Sequence, residues 1–245
     1  MRFLLYNIRY GTGGGRMWFP WSGYLRRTSH NLHQMADFVA SLDPDIVGLL
    51  EVDEGSYRTG RKSQAKMLAN VLGHYHTYGS KYGEYSLARR IPVLNRQGNA
   101  FLTRDTITND QFHYFDKGVK RLVIELELDR VVIFLVHLAL SFRIRHHQLS
   151  DLYSLVKNTA KPHIVAGDFN ALWGDREIRL FLAATDLRSA NDERLPSFPS
   201  WAPRRQLDFV LHSAGIESRR LWMPRVTYSD HLPIVYDFGV NGNGC

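Results

Sequence analysis

Polar residues of a few chemical types stand directly against short apolar runs along this chain. Asn7 follows Phe3-Leu4-Leu5-Tyr6, Glu51 follows Ile46-Val47-Gly48-Leu49-Leu50, and His137 follows the run Val131–Val136. Asp168 and Asn170 follow Ile164-Val165-Ala166, and Asp230 and His231 precede Leu232-Pro233-Ile234-Val235. Glu51, Asp168 and Asp230 offer hard carboxylate oxygens and Asn7 a neutral amide oxygen. Such a set suits Mg²⁺ or Mn²⁺, whereas zinc prefers His and Cys. His137 and His231 can hydrogen-bond a phosphoryl oxygen or move a proton near neutral pH. Phosphate-ester cleavage needs this combination: a cation to offset charge, a group to orient water, and donors for the transition state.

Other chemistries fail on spacing. Gly11-Thr12-Gly13-Gly14-Gly15-Arg16 lacks the Gly-Lys-Ser/Thr ending of a P-loop and misses the last glycine of a dinucleotide fingerprint. The chain has no Gly-x-Ser-x-Gly nucleophile elbow. His146-His147 reads as a solvated helix start, because neighbouring residues of a helix point apart.

The apolar runs themselves predict the elements that position these groups. Phe3–Asn7, Ile46–Leu50, Asn99–Thr103 and Ile164–Ala166 read as short strands, and Leu207–Leu211 and Ile234–Phe238 as closing ones. Ile124-Glu125-Leu126-Glu127-Leu128 alternates as a half-buried strand does, and the continuous run Val131–Val136 marks a strand buried on both faces. Asp129-Arg130 makes a tight hairpin between them. Leu32, Met35, Ala36, Val39 and Leu42 fall at helical spacing, with Ser29 as N-cap and Pro44 as the stop. A second helix runs through Ala65, Leu68, Ala69 and Leu72 to Gly73, and a third through Leu149, Leu152, Leu155 and Val156. Tyr10–Arg27 is a loop rich in glycine and aromatics. Hairpins mixed with helices exclude a simple βαβ series and predict mixed or antiparallel sheets with helices packed outside. If the strand ends share one rim, the polar residues meet there.

The 245 residues fit one α/β domain spanning 1–245, with 44% hydrophobic and 22% charged residues. No apolar run reaches the roughly 18 residues of a membrane span. The start Met1-Arg2-Phe3-Leu4-Leu5-Tyr6 is too short for the apolar core of a signal peptide and reads as a strand. The single cysteine, Cys245, excludes an internal disulfide and a thiolate metal cluster. A cytoplasmic location is expected, with export left open. A formal charge of +7 favours anionic partners: nucleic acid, phospholipid headgroups or phosphorylated small molecules.

With these residues in view, the chain resembles the endonuclease/exonuclease/phosphatase superfamily, which includes abasic-site endonucleases, DNase I-like nucleases, sphingomyelinases and inositol polyphosphate 5-phosphatases. The resemblance is carried by Leu5-Tyr6-Asn7-Ile8, by Pro44–Asp53 with Glu51 inside it, by Gly98-Asn99-Ala100-Phe101-Leu102-Thr103-Arg104 and by Val136-His137-Leu138. It continues through Gly167-Asp168-Phe169-Asn170, Gln206-Leu207-Asp208-Phe209-Val210 and Ser229-Asp230-His231-Leu232-Pro233. Any one segment is weak, but the ordered set is specific and spans nearly the whole chain. The resemblance implies a four-layer α/β/β/α sandwich. It implies that Glu51, with Asn7 nearby, holds Mg²⁺ (or Mn²⁺), and that Asp168 orients or deprotonates the attacking water. Asn170 would hold Asp168 and the phosphate, and Asp208 would pair with His231, whose imidazole stabilises the phosphoryl oxygens. His137 would donate to the phosphate, Asp230 would sit by the metal or orient its neighbours, and Asn99 and Arg121 are further candidates for phosphate contacts. One departure is Leu50, where many members carry Gln before the metal-binding Glu.

The ester itself stays open at this level. Arg26-Arg27, Arg61-Lys62, Arg89-Arg90, Lys120-Arg121 and Arg204-Arg205 suit a nuclease, including one acting at abasic sites. Trp18, Phe19, Trp21 and Tyr24 beside basic residues suit peripheral contact with a membrane and a phospholipid or inositol-phosphate substrate. The Glu51-Val52-Asp53 run, the Gly98-Asn99-Ala100 motif and the stretch Phe198-Pro199-Ser200-Trp201-Ala202-Pro203 look more like broad bacterial members of the family than abasic-site endonucleases. A silent phosphate-binding module is the reading outside catalysis.

Overall fold

The computed structural model describes residues 1–14, 28–81 and 94–241. Among the described residues, twelve strands form two six-stranded mixed sheets. The first has the order β11 (Ile216–Trp222), β12 (Ile234–Val240), β1 (Arg2–Asn7), β2 (Ile46–Asp53), β4 (Gln97–Thr103), β3 (Tyr75–Ser80). The second runs β5 (Asn109–Tyr114), β6 (Leu122–Glu127), β7 (Val132–His137), β8 (His163–Asp168), β10 (Asp208–His212), β9 (Arg188–Ser189). In each sheet a parallel pair, β1–β2 or β7–β8, lies at the centre.

Three apolar clusters make the layers. Phe3, Leu5, Phe101, Ile133, Leu135, Ala166 and Tyr236 meet between the sheets, so the central strands are buried on both faces and read as unbroken apolar runs. Helices α1 (Ser29–Ser41) and α2 (Gln64–Leu72) cover the outer face of the first sheet through Leu32, Met35, Val39 and Leu68. Helices α3 (Phe142–Lys157) and α4 (Arg176–Thr185) cover the second through Leu149, Leu152, Ile178 and Phe181. The result is the expected α/β/β/α sandwich.

Local expectations hold with small shifts. Gly73 adopts the left-handed conformation that ends α2. The N-cap of α1 falls one residue before the anticipated one: Thr28 takes that position without a side-chain capping hydrogen bond, and Ser29 is already helical. His146 and His147 are exposed as anticipated, but they lie in the second turn of α3, which starts earlier than the apolar spacing suggested. Most of the loop Tyr10–Arg27, including Trp18, Phe19, Trp21 and Tyr24, lies outside the described residues, as do Arg26-Arg27 and Arg89-Arg90.

His163 opens β8 with its Nε2 buried and, among the described residues, without a hydrogen-bond partner. Burial pushes its pKa below the usual 6.5, against a smaller opposite effect of the Lys161 carbonyl. The folded state therefore favours the neutral ring. That contribution is complete above the unfolded value and is lost as pH falls below it. Urea unfolding should show stability declining from about pH 6.5 downward, and His163→Gln should flatten the slope. An unchanged slope would place the acid sensitivity elsewhere.

Candidate active site

Strand register alone brings the polar residues together. In the second sheet His137 pairs with Asp168 across β7–β8, and Asp208 pairs with Asp168 across β8–β10. The three thus stand in one row at one rim. Gly167 lets the row form. Its φ is +154°, and a Cβ there would lie 1.8 Å from the Val136 carbonyl oxygen, so the strands approach this closely only with glycine. In the first sheet Asn7 pairs with Leu50, and the ladder between β2 and β4 breaks between Leu49 and Val52. Glu51 sits in that break with φ +54°, a left-handed conformation that costs a non-glycine residue about 1 kcal/mol or more. The bulge re-aims Glu51, whose N–H donates to the Asn99 side chain at 3.3 Å.

The rims of the two sheets face each other. Asn7 Nδ2 donates to Asp168 Oδ2 at 3.4 Å, and the backbone N–H of Asn170 donates to Asp168 Oδ1 at 2.9 Å. The Asn170 side chain donates instead to the Leu138 carbonyl at 2.9 Å, so it is the backbone of Asn170 that holds the carboxylate. His137 Nε2 lies 3.2 Å from Asp168 Oδ2 and 3.8 Å from Glu51. His231 Nδ1 contacts Asp208 Oδ2 at 2.7 Å, while its Nε2 points at Asp168, 3.9 Å away. Asp230 is turned toward Arg9, at 3.5 Å, and accepts from the Ser229 hydroxyl at 3.3 Å. Asn99 and Arg121 line the pocket that also contains Glu51 and His137.

Charge follows from this packing. Burial opposes ionisation of Asp168, but the His137 hydrogen bond and the fields of His137, His231 and Lys120 outweigh it and hold its pKa far below the carboxylate range. Burial likewise opposes the charge on Glu51, and Lys120, His137, Lys81 and His231 together keep it ionised. For His231, burial favours the neutral ring, yet Asp208 and then Asp168 and Asp230 push its pKa up to about 10. His137 goes the other way, down to about 4, through burial and the neighbouring Lys120 ammonium. The two histidines therefore differ at neutral pH: His231 is a cation and His137 is neutral.

Several participants escaped sequence reasoning. Ser197 donates to Asp208 Oδ2 at 2.6 Å, the same oxygen that His231 engages. Ser229 ties the Asp230–His231 segment to the carbonyl of Asn7 at 2.6 Å. Lys120 contacts His137 and lies 3.9 Å from Glu51. Lys81 lines the same pocket, and burial lowers its pKa to about 8. Lys120 was visible only as half of a basic pair, and Lys81 carried no sequence signal.

The donor set accommodates a hard divalent cation. Among the described residues no hydrogen bond reaches the Glu51 carboxylate, which is charged and largely enclosed. Its nearest basic groups, His137 at 3.8 Å and Lys120 at 3.9 Å, stop short of hydrogen-bond distance, so its oxygens can still take a hard cation. Asp168, Asp208 and His231 also offer ligand atoms within 4.8 Å of one another. Both Asp168 oxygens and Asp208 Oδ2 are already engaged by Asn7, Asn170, Ser197 and His231, whereas Asp208 Oδ1 has no hydrogen-bond partner among the described residues but is buried; Asn7 Oδ1 accepts from the Arg9 N–H at 3.2 Å, and Glu51 is the most open carboxylate of the set.

The two rims converge on one charged cleft of carboxylates, amides and histidines, side chains of the kind a phosphoester hydrolase uses. The chain belongs to the endonuclease/exonuclease/phosphatase family, whose sequence model matches residues 4–231. Similar solved structures share the sandwich. A mannosyl-6-phosphatase of Bacteroides thetaiotaomicron is 15% identical, with a TM-score of 0.70 over 98% of this chain and 99% of that one. The human Nocturnin catalytic domain is 22% identical, with a TM-score of 0.67 over 98% and 93%. The 3′ phosphatase NExo from Neisseria, bound to product DNA hairpin, is 14% identical, with a TM-score of 0.68 over 98% and 99%. No curated protein matches the sequence.

Proposed function

We propose that the protein hydrolyses phosphate esters by in-line attack of water, with a divalent cation, Mg²⁺ or Mn²⁺, held by Glu51 and Asn7. The row His137–Asp168–Asp208 facing Glu51 across the rims carries this reading. Such an ion would offset charge on the phosphoryl oxygens. Asp168 stays ionised and acceptor-only, so it orients the water and takes its proton as the new P–O bond forms and the ester P–O bond opposite it breaks, the departing oxygen leaving as the alcohol with a proton from solvent. Its depressed pKa makes it a weak base, and orientation is the larger part of its role. Protonated His231, steered by Asp208 and Ser197, donates from Nε2 to a phosphoryl oxygen. His137, Asn99 and Arg121 add donors around the phosphate, and Asp230 holds Arg9 and the His231 segment in place.

The test uses p-nitrophenyl phosphate and its bis ester with Mg²⁺, Mn²⁺ or EDTA. A sugar 6-phosphate, a 3′-phosphorylated oligonucleotide and an abasic-site duplex follow, the first two suggested by the phosphatases of the same fold. Metal-stimulated release of phosphate or nitrophenol is expected. Glu51→Gln should raise the metal concentration for half-maximal rate by about tenfold or more and weaken Mn²⁺ binding in calorimetry equally, because it removes a charged ligand. Hydrolysis of no ester with any metal would leave a silent binding module.

A further inference from the structure

Large apolar side chains stand exposed around the site on the loops of the second sheet. Val119 is 63% exposed, Leu140 55%, Phe142 61% and Trp173 82%. Val119 precedes β6, Leu140 and Phe142 follow β7, and Trp173 follows β8, so each sits at the rim that carries Lys120, His137 and Asp168. Buried polar side chains hold these loops in place. Gln148 donates to the carbonyls of Lys117 and Lys120 and accepts from the N–H of Ala139. Arg145 donates to the carbonyls of Ala139 and Leu140 and to Glu177 at the start of α4, while Asn170 reaches the Leu138 carbonyl. The apolar tips are thus presented by a rigid frame.

Exposed Lys117, Arg143 and Arg176 lie on the same loops and helix starts. Asp116 is the exposed acid among them, and Asp175 is paired with Arg179 at 2.8 Å. Basic groups around exposed Trp, Phe, Leu and Val match an anionic lipid interface, where rings sit at headgroup depth and aliphatic tips enter the acyl boundary. A single-stranded nucleic acid would use Phe142 and Trp173 as stacking faces but leave Val119 and Leu140 unexplained, since aliphatic side chains have no face to stack.

We infer that this rim seats the protein on an anionic phospholipid surface and offers the cleft a phosphate ester presented there. The inference rests on the hydrolase reading for its chemistry, but not for the docking itself. The test sediments the full chain with vesicles of phosphatidylcholine and phosphatidylserine, beside phosphatidylcholine alone, and repeats it with the Phe142→Ser/Trp173→Ser variant. Hydrolysis of p-nitrophenyl phosphate by both proteins is measured in parallel. The parent should sediment with the anionic vesicles, less so in high salt, and the variant should partition about tenfold less. Soluble-ester turnover should agree within about twofold, since neither residue touches the reacting groups. No vesicle binding, or equal binding by the variant, overturns the inference. So does loss of single-stranded oligonucleotide binding in the variant without any vesicle binding by the parent. Intact vesicle binding by a protein that hydrolyses none of the esters above with any metal would instead remove the hydrolase reading and leave the docking standing.

Discussion

Asp168→Asn should lower the rate of metal-stimulated ester hydrolysis by about a thousandfold, or roughly 4 kcal/mol of transition-state stabilisation. Asparagine keeps the size of the side chain and can still accept from the backbone N–H of Asn170. What it loses is the charge that faces His137 at 3.2 Å and His231 at 3.9 Å. The water then has no anionic acceptor, and His231 loses one of the carboxylates that raise its pKa. KM should change far less than kcat, because the substrate phosphate is bound by donors that remain. Steady-state kinetics with an unfolding curve on the same preparation separates this from a folding defect. A folded variant within tenfold of the parent would remove Asp168 from the mechanism.

Arg58→Met should cost about 3–5 kcal/mol of stability, the range for breaking a buried ion pair from one side. Arg58 and Asp53 are both fully enclosed and meet at 2.6 Å, and the Asp53 carboxylate also accepts from the hydroxyl of Ser56 at 2.6 Å and its N–H at 2.7 Å. The guanidinium further lies over the Tyr10 ring, 4.9 Å from its centre. Without Arg58 the carboxylate stays buried with its charge uncompensated. The melting temperature should fall by about 10 °C. Adding Asp53→Leu should recover part of the loss, since an apolar replacement of both partners removes the stranded charge. A single variant that loses less than about 1 kcal/mol would show that water reaches the pair. Activity should fall too, because Gln64 links the N–H of Asp53 to the carbonyl of Tyr10 and so braces the strand end that bears Glu51.

The central half of this fold was legible because its strands are buried on both faces. Runs such as Val131–Val136 and Ile164–Ala166 have few alternative readings, and the polar residue at each end marks where the strand reaches the rim of its sheet. Glu51, His137 and Asp168 were found this way. The edges were not. Strands β3, β5 and β11 are edge strands with wet faces: Asn109-Asp110-Gln111 and Glu217-Ser218-Arg219-Arg220 carry no apolar alternation to read. Helix α4 also went unread, although Ile178 and Phe181 fall on one face. Asp208 came only through family resemblance, because it starts its strand after an unremarkable Gln206-Leu207. Ser197, Lys81 and the Asp53–Arg58 pair depend on loops meeting in space, which no local pattern encodes. The bulge at Glu51 was hidden for a similar reason: a left-handed residue inside an apolar run contradicts the propensity of the segment, and tertiary contacts decide it.

The pairing of β1 with β12 has a consequence for how the protein is made. Arg2 lies opposite Asp237, and the Met1 amino group reaches the Phe238 carbonyl at 2.8 Å, so the earliest strand of this chain waits for the latest. Asn7 and Glu51 leave the ribosome early, but the sheet that aims them is not complete until β12 is available, and His231 comes just before it. A nascent chain short of that point lacks His231 and the strand that pairs with β1. The β1 edge thus stays unpaired on that side until β12 emerges, and an exposed strand edge of this kind is what chaperones shield.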